Sequence, residues 1–242
     1  MSLIERSKYL NLWNYEKNGG LVKIISEENN RERGSPMQDK EENWWLLKRL
    51  EENISEFDNP INTILEIGVA DGGGAKIWEQ VLLSQLKNGQ NPKDLLYIGI
   101  DYSPNILWNY KNSPIDIRLI ANDTHKLETI QYLKQILKEK GNRKVDFLFI
   151  DAQHHSRDVE MDFVNFGGFV KENCIIGFHD TRLCRSFWDK FTGGCIDGDN
   201  VNGVCNAQEN MIFHKEEFKV SLGTGLFYNI PNQNVIQYIR YL

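Results

Sequence analysis

Four acidic residues in the middle of this chain each follow an apolar run, at the point where a strand is expected to end. They are Asp101, Asp123, Asp151 and Asp180. Because the carboxyl ends of parallel strands meet at one edge of a sheet, these carboxylates are expected to face one crevice. A single Asp also favours turns and helix caps. Four such acids in succession indicate a ligand site.

A glycine-rich turn precedes these acids. The apolar run 64–67 contains Glu66, and the order after it is Gly68-x-x-x-Gly72-Gly73, followed by a helix-like segment. This spacing departs from the G-x-G-x-x-G turn of dinucleotide sites, and a carboxylate there would repel a pyrophosphate. It suits a ligand with an ammonium group and hydroxyls, such as S-adenosylmethionine. The residues expected to bind such a cofactor are Glu66, Gly68, Ala70, Gly72, Gly73, Asp101, Tyr102, Asn122 and Asp123.

The chemistry of each acid suggests its role toward that ligand. Asp101 can accept both hydroxyls of a ribose, and the alternative is that it only caps a helix. Asp123, with Asn122, can hydrogen-bond the adenine amino group. Glu66 and the backbone of residues 68–73 are expected to hold the amino-acid end.

Two of the acids, Asp151 and Asp180, are left without a role in that scheme. Neighbouring carboxylates repel each other at pH 7 unless a proton or cation lies between them. Carboxylates and waters suit magnesium, so these two residues predict a metal site. The alternative is that one of them pairs with Arg157 or Arg182. His179 is a third candidate ligand, or its ring hydrogen-bonds the backbone.

The segment after Asp151 contains two adjacent histidines, His154 and His155. Histidine titrates near neutral pH and can take a proton from a hydroxyl nucleophile. His154 follows Asp151 by three residues, so it is the candidate general base for a substrate held on the same metal. His155 is its competitor, and a purely local hydrogen bond is the alternative for both.

The elements that position these residues alternate between strands and helices from residue 61. This predicts an α/β, Rossmann-like, doubly wound sheet that is mostly parallel. A helical lead-in, residues 1–60, precedes the cofactor domain, residues 61–242. Only a short turn separates the last strand-like segments, 219–222 and 225–230, so an antiparallel last strand is expected. Predicted strands are 64–69, 95–100, 115–120, 145–150 and 174–178, and predicted helices are 39–54, 75–87, 126–139 and 156–166.

The composition restricts the partners. The 242 residues carry a formal net charge of −6, which argues against unaided binding to nucleic acid or an anionic membrane. No apolar run reaches the roughly 18 residues that cross a bilayer, and the amino-terminal residues lack a signal-peptide pattern. A cytoplasmic location is therefore expected. Aromatic residues of the lead-in serve either packing on the domain or an interface between copies in a homo-oligomer.

Over about residues 60–230 these features together resemble the class I S-adenosylmethionine-dependent methyltransferases. A narrower resemblance is to the cephalosporin-hydroxylase-like and macrolide-sugar O-methyltransferases. It rests on three motifs, which are Ile150-Asp151-x-x-His154, Asp158-Val159-x-x-Asp162 and His179-Asp180.

This resemblance implies a function and a set of roles. It implies methyl transfer from S-adenosylmethionine to a hydroxyl of a sugar or small natural product, with magnesium bound by Asp151 and the pair 179–180. His154 is then the base. One departure is that His179 stands where the group has a carboxylate, and imidazole suits manganese, iron or zinc better than magnesium. Two alternatives are a non-catalytic cofactor- or partner-binding protein and a metal-dependent oxygenase.

Overall fold

Seven strands form one mixed sheet in the computed structural model, which describes residues 40–104, 110–153, 155–180, 214–218 and 224–228. The strands are β1 (Thr63–Ile67), β2 (Leu96–Asp101), β3 (Asp116–Ala121), β4 (Val145–Ile150), β5 (Val170–His179), β6 (His214–Phe218) and β7 (Thr224–Tyr228). The longer helices of these segments are α1 (Lys40–Phe57), α2 (Gly73–Ser84), α3 (Leu127–Glu139) and α4 (Ser156–Phe166).

The strand order across the sheet is β3-β2-β1-β4-β5-β7-β6. The first five strands are parallel, which confirms the predicted doubly wound, Rossmann-like sheet. β7 pairs antiparallel with both β5 and β6. The strand order reverses between β1 and β4, and this switch point is where a crevice opens at the carboxyl ends of the strands.

Most element boundaries lie within three residues of the predicted ones, and β5 differs most. It begins at Val170 instead of residue 174, because Val170 already pairs with Val145 before an irregularity shifts the register. α2 begins at Gly73, two residues early, directly after Gly72 in a left-handed conformation. The strand expected at 219–222 and residues 1–39 of the lead-in lie outside the described residues.

Helices cover both faces of the sheet. α3 and α4 pack on one face, where Leu133 and Phe163 form an apolar cluster with the strand residues of that face, which include Leu65, Ile98 and Leu148. α2 and α1 pack on the other face, around Trp78 and Leu46. The central strands are therefore buried on both sides and are nearly continuously apolar. Among the described helices, none is long and apolar enough to cross a membrane.

The edge of the sheet opposite the crevice contains a buried carboxylate. Asp146, 4% exposed, begins the central part of β4. Its Oδ2 accepts hydrogen bonds from the backbone N–H groups of Asn62 and Thr63, both at 2.9 Å. Lys171 forms an ion pair with its other oxygen. Asp146 thus joins the entry of β1 to the start of β4.

Replacing Asp146 with Ala should lower the free energy of unfolding by about 3 kcal/mol, because two backbone donors and a lysine lose their acceptor. Urea denaturation checks this. Glu52→Ala is the control, because Glu52 forms an exposed ion pair with Arg49, and such pairs contribute at most about 1 kcal/mol. Equal losses in the two variants would contradict the structural role of Asp146.

Candidate cofactor and metal site

The glycine turn after β1 lies between the ends of two neighbouring strands. The backbone N–H of Gly68 donates to the Ile100 carbonyl of β2 at 2.8 Å, and the backbone N–H of Asp151 donates to the Ile67 carbonyl of β1 at the same distance. Gly68 has φ +91°, and a Cβ there would lie 2.0 Å from the Asp151 carbonyl oxygen. Only glycine fits this position, so the turn passes in direct contact with the segment that carries Asp151.

Asp101 at the end of β2 binds this turn from the other side. Its Oδ2 accepts from Val69 N at 2.8 Å and from Ala70 N at 2.9 Å, and its Oδ1 accepts from Ser103 N at 2.9 Å. Ala70 has φ 44°, a conformation that a residue with a Cβ rarely adopts. The carboxylate therefore stabilises a strained turn. Its expected contact with ribose hydroxyls stays a prediction.

The remaining predicted residues of the adenine side lie along the neighbouring strand ends. Asn122 N donates to the Asp101 carbonyl at 3.0 Å, so these two strand ends are joined. The Asn122 side chain accepts from Asp123 N, and Asp123 Oδ1 accepts from His125 N at 2.9 Å. Both side chains thus shape the loop before α3. Tyr102, which follows Asp101 in the sequence, is 80% exposed, so its ring is accessible to a ligand.

Glu66 is buried beneath the turn. It is 1% exposed, its Oε1 accepts from Trp78 Nε1 at 2.9 Å, and Tyr97 donates its hydroxyl to Oε2. Burial raises the pKa of Glu66 to about 8, although these two donors oppose the shift. A Cβ at Gly74 would lie 2.5 Å from Oε1. Glu66 thus supports the start of α2, and its contact with a cofactor stays a prediction.

A compact polar group lies at the ends of β4 and β5. Ligand atoms of Asp151, His179 and Asp180 all lie within 4.8 Å of one another. His179 Nδ1 is 3.2 Å from Asp151 Oδ1 and 3.0 Å from Asp180 Oδ1, and its Nε2 is 3.2 Å from Glu42 Oε2 on α1. The structure therefore brings together the three residues predicted as metal ligands.

This group is strongly negative and largely excluded from water. Burial alone would lower the pKa of His179, but the nearby carboxylates raise it to about 12. Asp180 is 4% exposed and has φ 53°, an unusual backbone conformation that is typical of functional sites. The carboxylates thus require a positive charge among them, which either a proton on His179 or a metal cation can supply.

A fourth residue, Glu42, contacts this group through His179 and was not predicted. It is four residues before Leu46 and eight before Leu50, so it shares the buried face of α1. An acid in line with a buried apolar stripe is the signal that would have found it. His154, the predicted base, lies outside the described residues.

Part of this chain is similar in sequence to a known protein family, and its fold is similar to solved structures. Residues 65–181 match a family model described as a methyltransferase domain. Similar solved structures include the MycE methyltransferase from the mycinamycin biosynthetic pathway in complex with Mg and SAH, at 15% identity and a TM-score of 0.47. Its complex with Mg, SAH and mycinamycin VI is also 15% identical, with a TM-score of 0.46. Both alignments cover 78% of this chain and 51% of the other, so the chain spans about half the length of these proteins. No curated protein matches the sequence significantly.

The matched segment begins in β1 and ends one residue after Asp180, so it contains the glycine turn, Asp101 and the polar group. Residues 65–181 are therefore similar to a methyltransferase domain. This match confirms the resemblance to methyltransferases seen in the sequence.

Gly68→Ala should lower the free energy of unfolding by about 3 kcal/mol or more, because its Cβ would overlap the Asp151 carbonyl. Gly89→Ala is a matched control. Gly89 also has a positive φ, +80°, but nothing lies within 4 Å of its Cβ position, so only the backbone strain of about 1 kcal/mol is expected. Urea denaturation of both variants checks this, and equal losses would refute the close contact.

Glu66→Gln should change the pH dependence of stability. Folding keeps a proton on Glu66 up to about pH 8, whereas the unfolded chain releases it near 4.5, so wild-type stability falls as pH rises through this window. The variant has no such proton, so it should gain on the wild type by about 1.4 kcal/mol per pH unit there. Denaturant unfolding across the window measures the gap. A constant gap would contradict a protonated Glu66.

Proposed function

We propose that this protein transfers the methyl group of S-adenosylmethionine to a hydroxyl of a sugar or small natural product, assisted by a divalent cation. The observation that carries the proposal is the contact between the glycine turn and Asp151. It supports an arrangement in which the predicted cofactor site and the polar group around His179 are adjacent walls of one crevice. A methyl donor on one wall and an acceptor hydroxyl on the other would then meet at the switch point of the sheet.

S-adenosylmethionine, when bound, supplies an electrophilic methyl group on a positively charged sulfur. The turn from Gly68 to Gly73 would receive its amino-acid end, because glycines allow a close approach of the backbone. The Asp101 carboxylate accepts from three backbone N–H groups, and its remaining lone pairs would accept hydrogen bonds from the ribose hydroxyls. Asn122 and Asp123 would contact the adenine. Asp101 would thus act twice, on the turn and on the ligand.

The acceptor wall is the group formed by Asp151, His179 and Asp180. Its donors are two carboxylates and an imidazole, buried and close together, and this set fits a divalent cation. Such a cation, when bound, supplies a Lewis acid that lowers the pKa of a coordinated hydroxyl. Asp151 would hold the acceptor side in position, because it lies on the segment that contacts the cofactor turn.

His154 would take the proton of the acceptor hydroxyl. Its spacing of three residues from Asp151 and the resemblance to the macrolide-sugar O-methyltransferases support this role. Much of the rate would come from holding oxygen and methyl carbon in line, which positioning alone can supply. The proposal that the acceptor is a hydroxyl of a natural product is based on the same resemblance of motifs.

The first test is calorimetric binding of S-adenosylmethionine and S-adenosylhomocysteine. Asp101→Asn should weaken binding at least about tenfold, because an amide nitrogen would face backbone donors and the ribose would lose an acceptor. Asp94→Asn is the matched control, because Asp94 is exposed and lies just before the opposite end of the same strand. EDTA should leave cofactor binding intact.

Two outcomes would oppose the proposal. If the wild type binds neither compound, the protein is not a methyltransferase that uses this cofactor. If it binds both, but no hydroxyl acceptor is methylated with Mg²⁺ or Mn²⁺ present, the non-catalytic binding protein becomes the better description.

A further inference from the structure

Glu42 on α1 contacts the one residue in which the polar group departs from the carboxylate pattern of the proteins it resembles. We infer that Glu42 is a positioning residue that orients His179 as a metal ligand, and that the site therefore prefers a transition-metal dication to Mg²⁺. This inference rests on the proposed function, because it concerns the cation of the same site.

The two ring nitrogens of His179 face different partners. Nε2 lies 3.2 Å from Glu42 Oε2, whereas Nδ1 lies 3.2 Å from Asp151 Oδ1 and 3.0 Å from Asp180 Oδ1. The side chain of His179 is only 10% exposed, and that of Glu42 is 1% exposed. The ring is therefore held between α1 on one side and the ends of β4 and β5 on the other.

A neutral imidazole donates a proton from one nitrogen and offers a lone pair on the other. Because a carboxylate oxygen of Glu42 accepts at Nε2, it keeps the ring proton there when a metal cation takes the place of the proton on Nδ1. The lone pair on Nδ1 is then available to a cation that lies between the ring and the two aspartates. Within the described residues, the buried Nδ1 is in ion-pair contact with both aspartates but does not meet hydrogen-bond geometry with either, and a metal ion would bind all three side chains. This is the carboxylate–histidine–metal arrangement, in which the outer carboxylate orients the ring and raises its basicity.

The donor set decides which cation is favoured. Mg²⁺ is a hard ion that takes oxygen ligands, whereas Mn²⁺, Fe²⁺, Co²⁺ and Zn²⁺ accept imidazole readily. One imidazole among two carboxylates should therefore favour the second group. Glu42 strengthens this preference, because a ring fixed by an outer carboxylate loses less freedom when it binds the ion.

The test is binding of Co²⁺ and of Mg²⁺ to the full chain by calorimetry, with the visible spectrum of Co²⁺ as a second readout. The wild type should bind Co²⁺ more tightly, and His179→Glu should lower the ratio of Co²⁺ to Mg²⁺ affinity at least about tenfold. Glu42→Gln should weaken Co²⁺ binding about tenfold or more and change the spectrum. Glu52→Gln, on the exposed face of the same helix, should change neither.

Thermal melting and S-adenosylhomocysteine binding in EDTA accompany each variant, so that a folding defect is recognised. The inference would be overturned if His179→Glu left the ratio of Co²⁺ to Mg²⁺ affinity unchanged. It would also be overturned if the wild-type protein bound neither metal ion. An effect of Glu42→Gln no larger than that of Glu52→Gln would also overturn it. If the wild type binds Co²⁺ as expected but not S-adenosylhomocysteine, the proposed function fails while the metal assignment holds.

Discussion

The close approach of the Gly68 backbone to the Asp151 carbonyl is the constraint on which the rest of the site depends. Two adjacent parallel strands end there, one turning into α2 and the other leading to the candidate acceptor group. A side chain on Gly68 would push these segments apart. Because the contact is made by backbone atoms, the distance between the two walls of the crevice is set by the sheet itself and not by flexible side chains.

Around this constraint the protein stabilises its acidic side chains in three different ways. Glu66 keeps a proton and accepts from an indole and a phenol. Asp101 stays nearer to water and accepts from backbone N–H groups. Asp151 and Asp180 share an imidazole. The first two arrangements support the turn, whereas the third leaves donor atoms converging on one point, which is why it is the candidate metal site.

The parallel sheet and the acids at its strand ends could be predicted because both are local: apolar runs mark strands, and Asp marks where they stop. The hydrogen-bond donors of Glu66 could not be predicted, because both faces of β1 are covered by helices and alternation no longer tells one face from the other. Nor could the partners of Asp101, since backbone N–H groups leave no trace in a sequence. Glu42 escaped prediction because its role depends on where α1 docks, which is a long-range property of the fold.

The docking of α1 has a further consequence. The helix is anchored by Leu46, Leu47 and Leu50 in the core, and its first turns carry Glu42 to the polar group. Free-energy linkage between two events is reciprocal. If Glu42 increases the affinity of the polar group for a cation, then binding of that cation stabilises α1 against local unfolding by the same free energy. Amide hydrogen exchange in this helix is therefore a remote reporter of the state of the site, without any ligand touching the helix core.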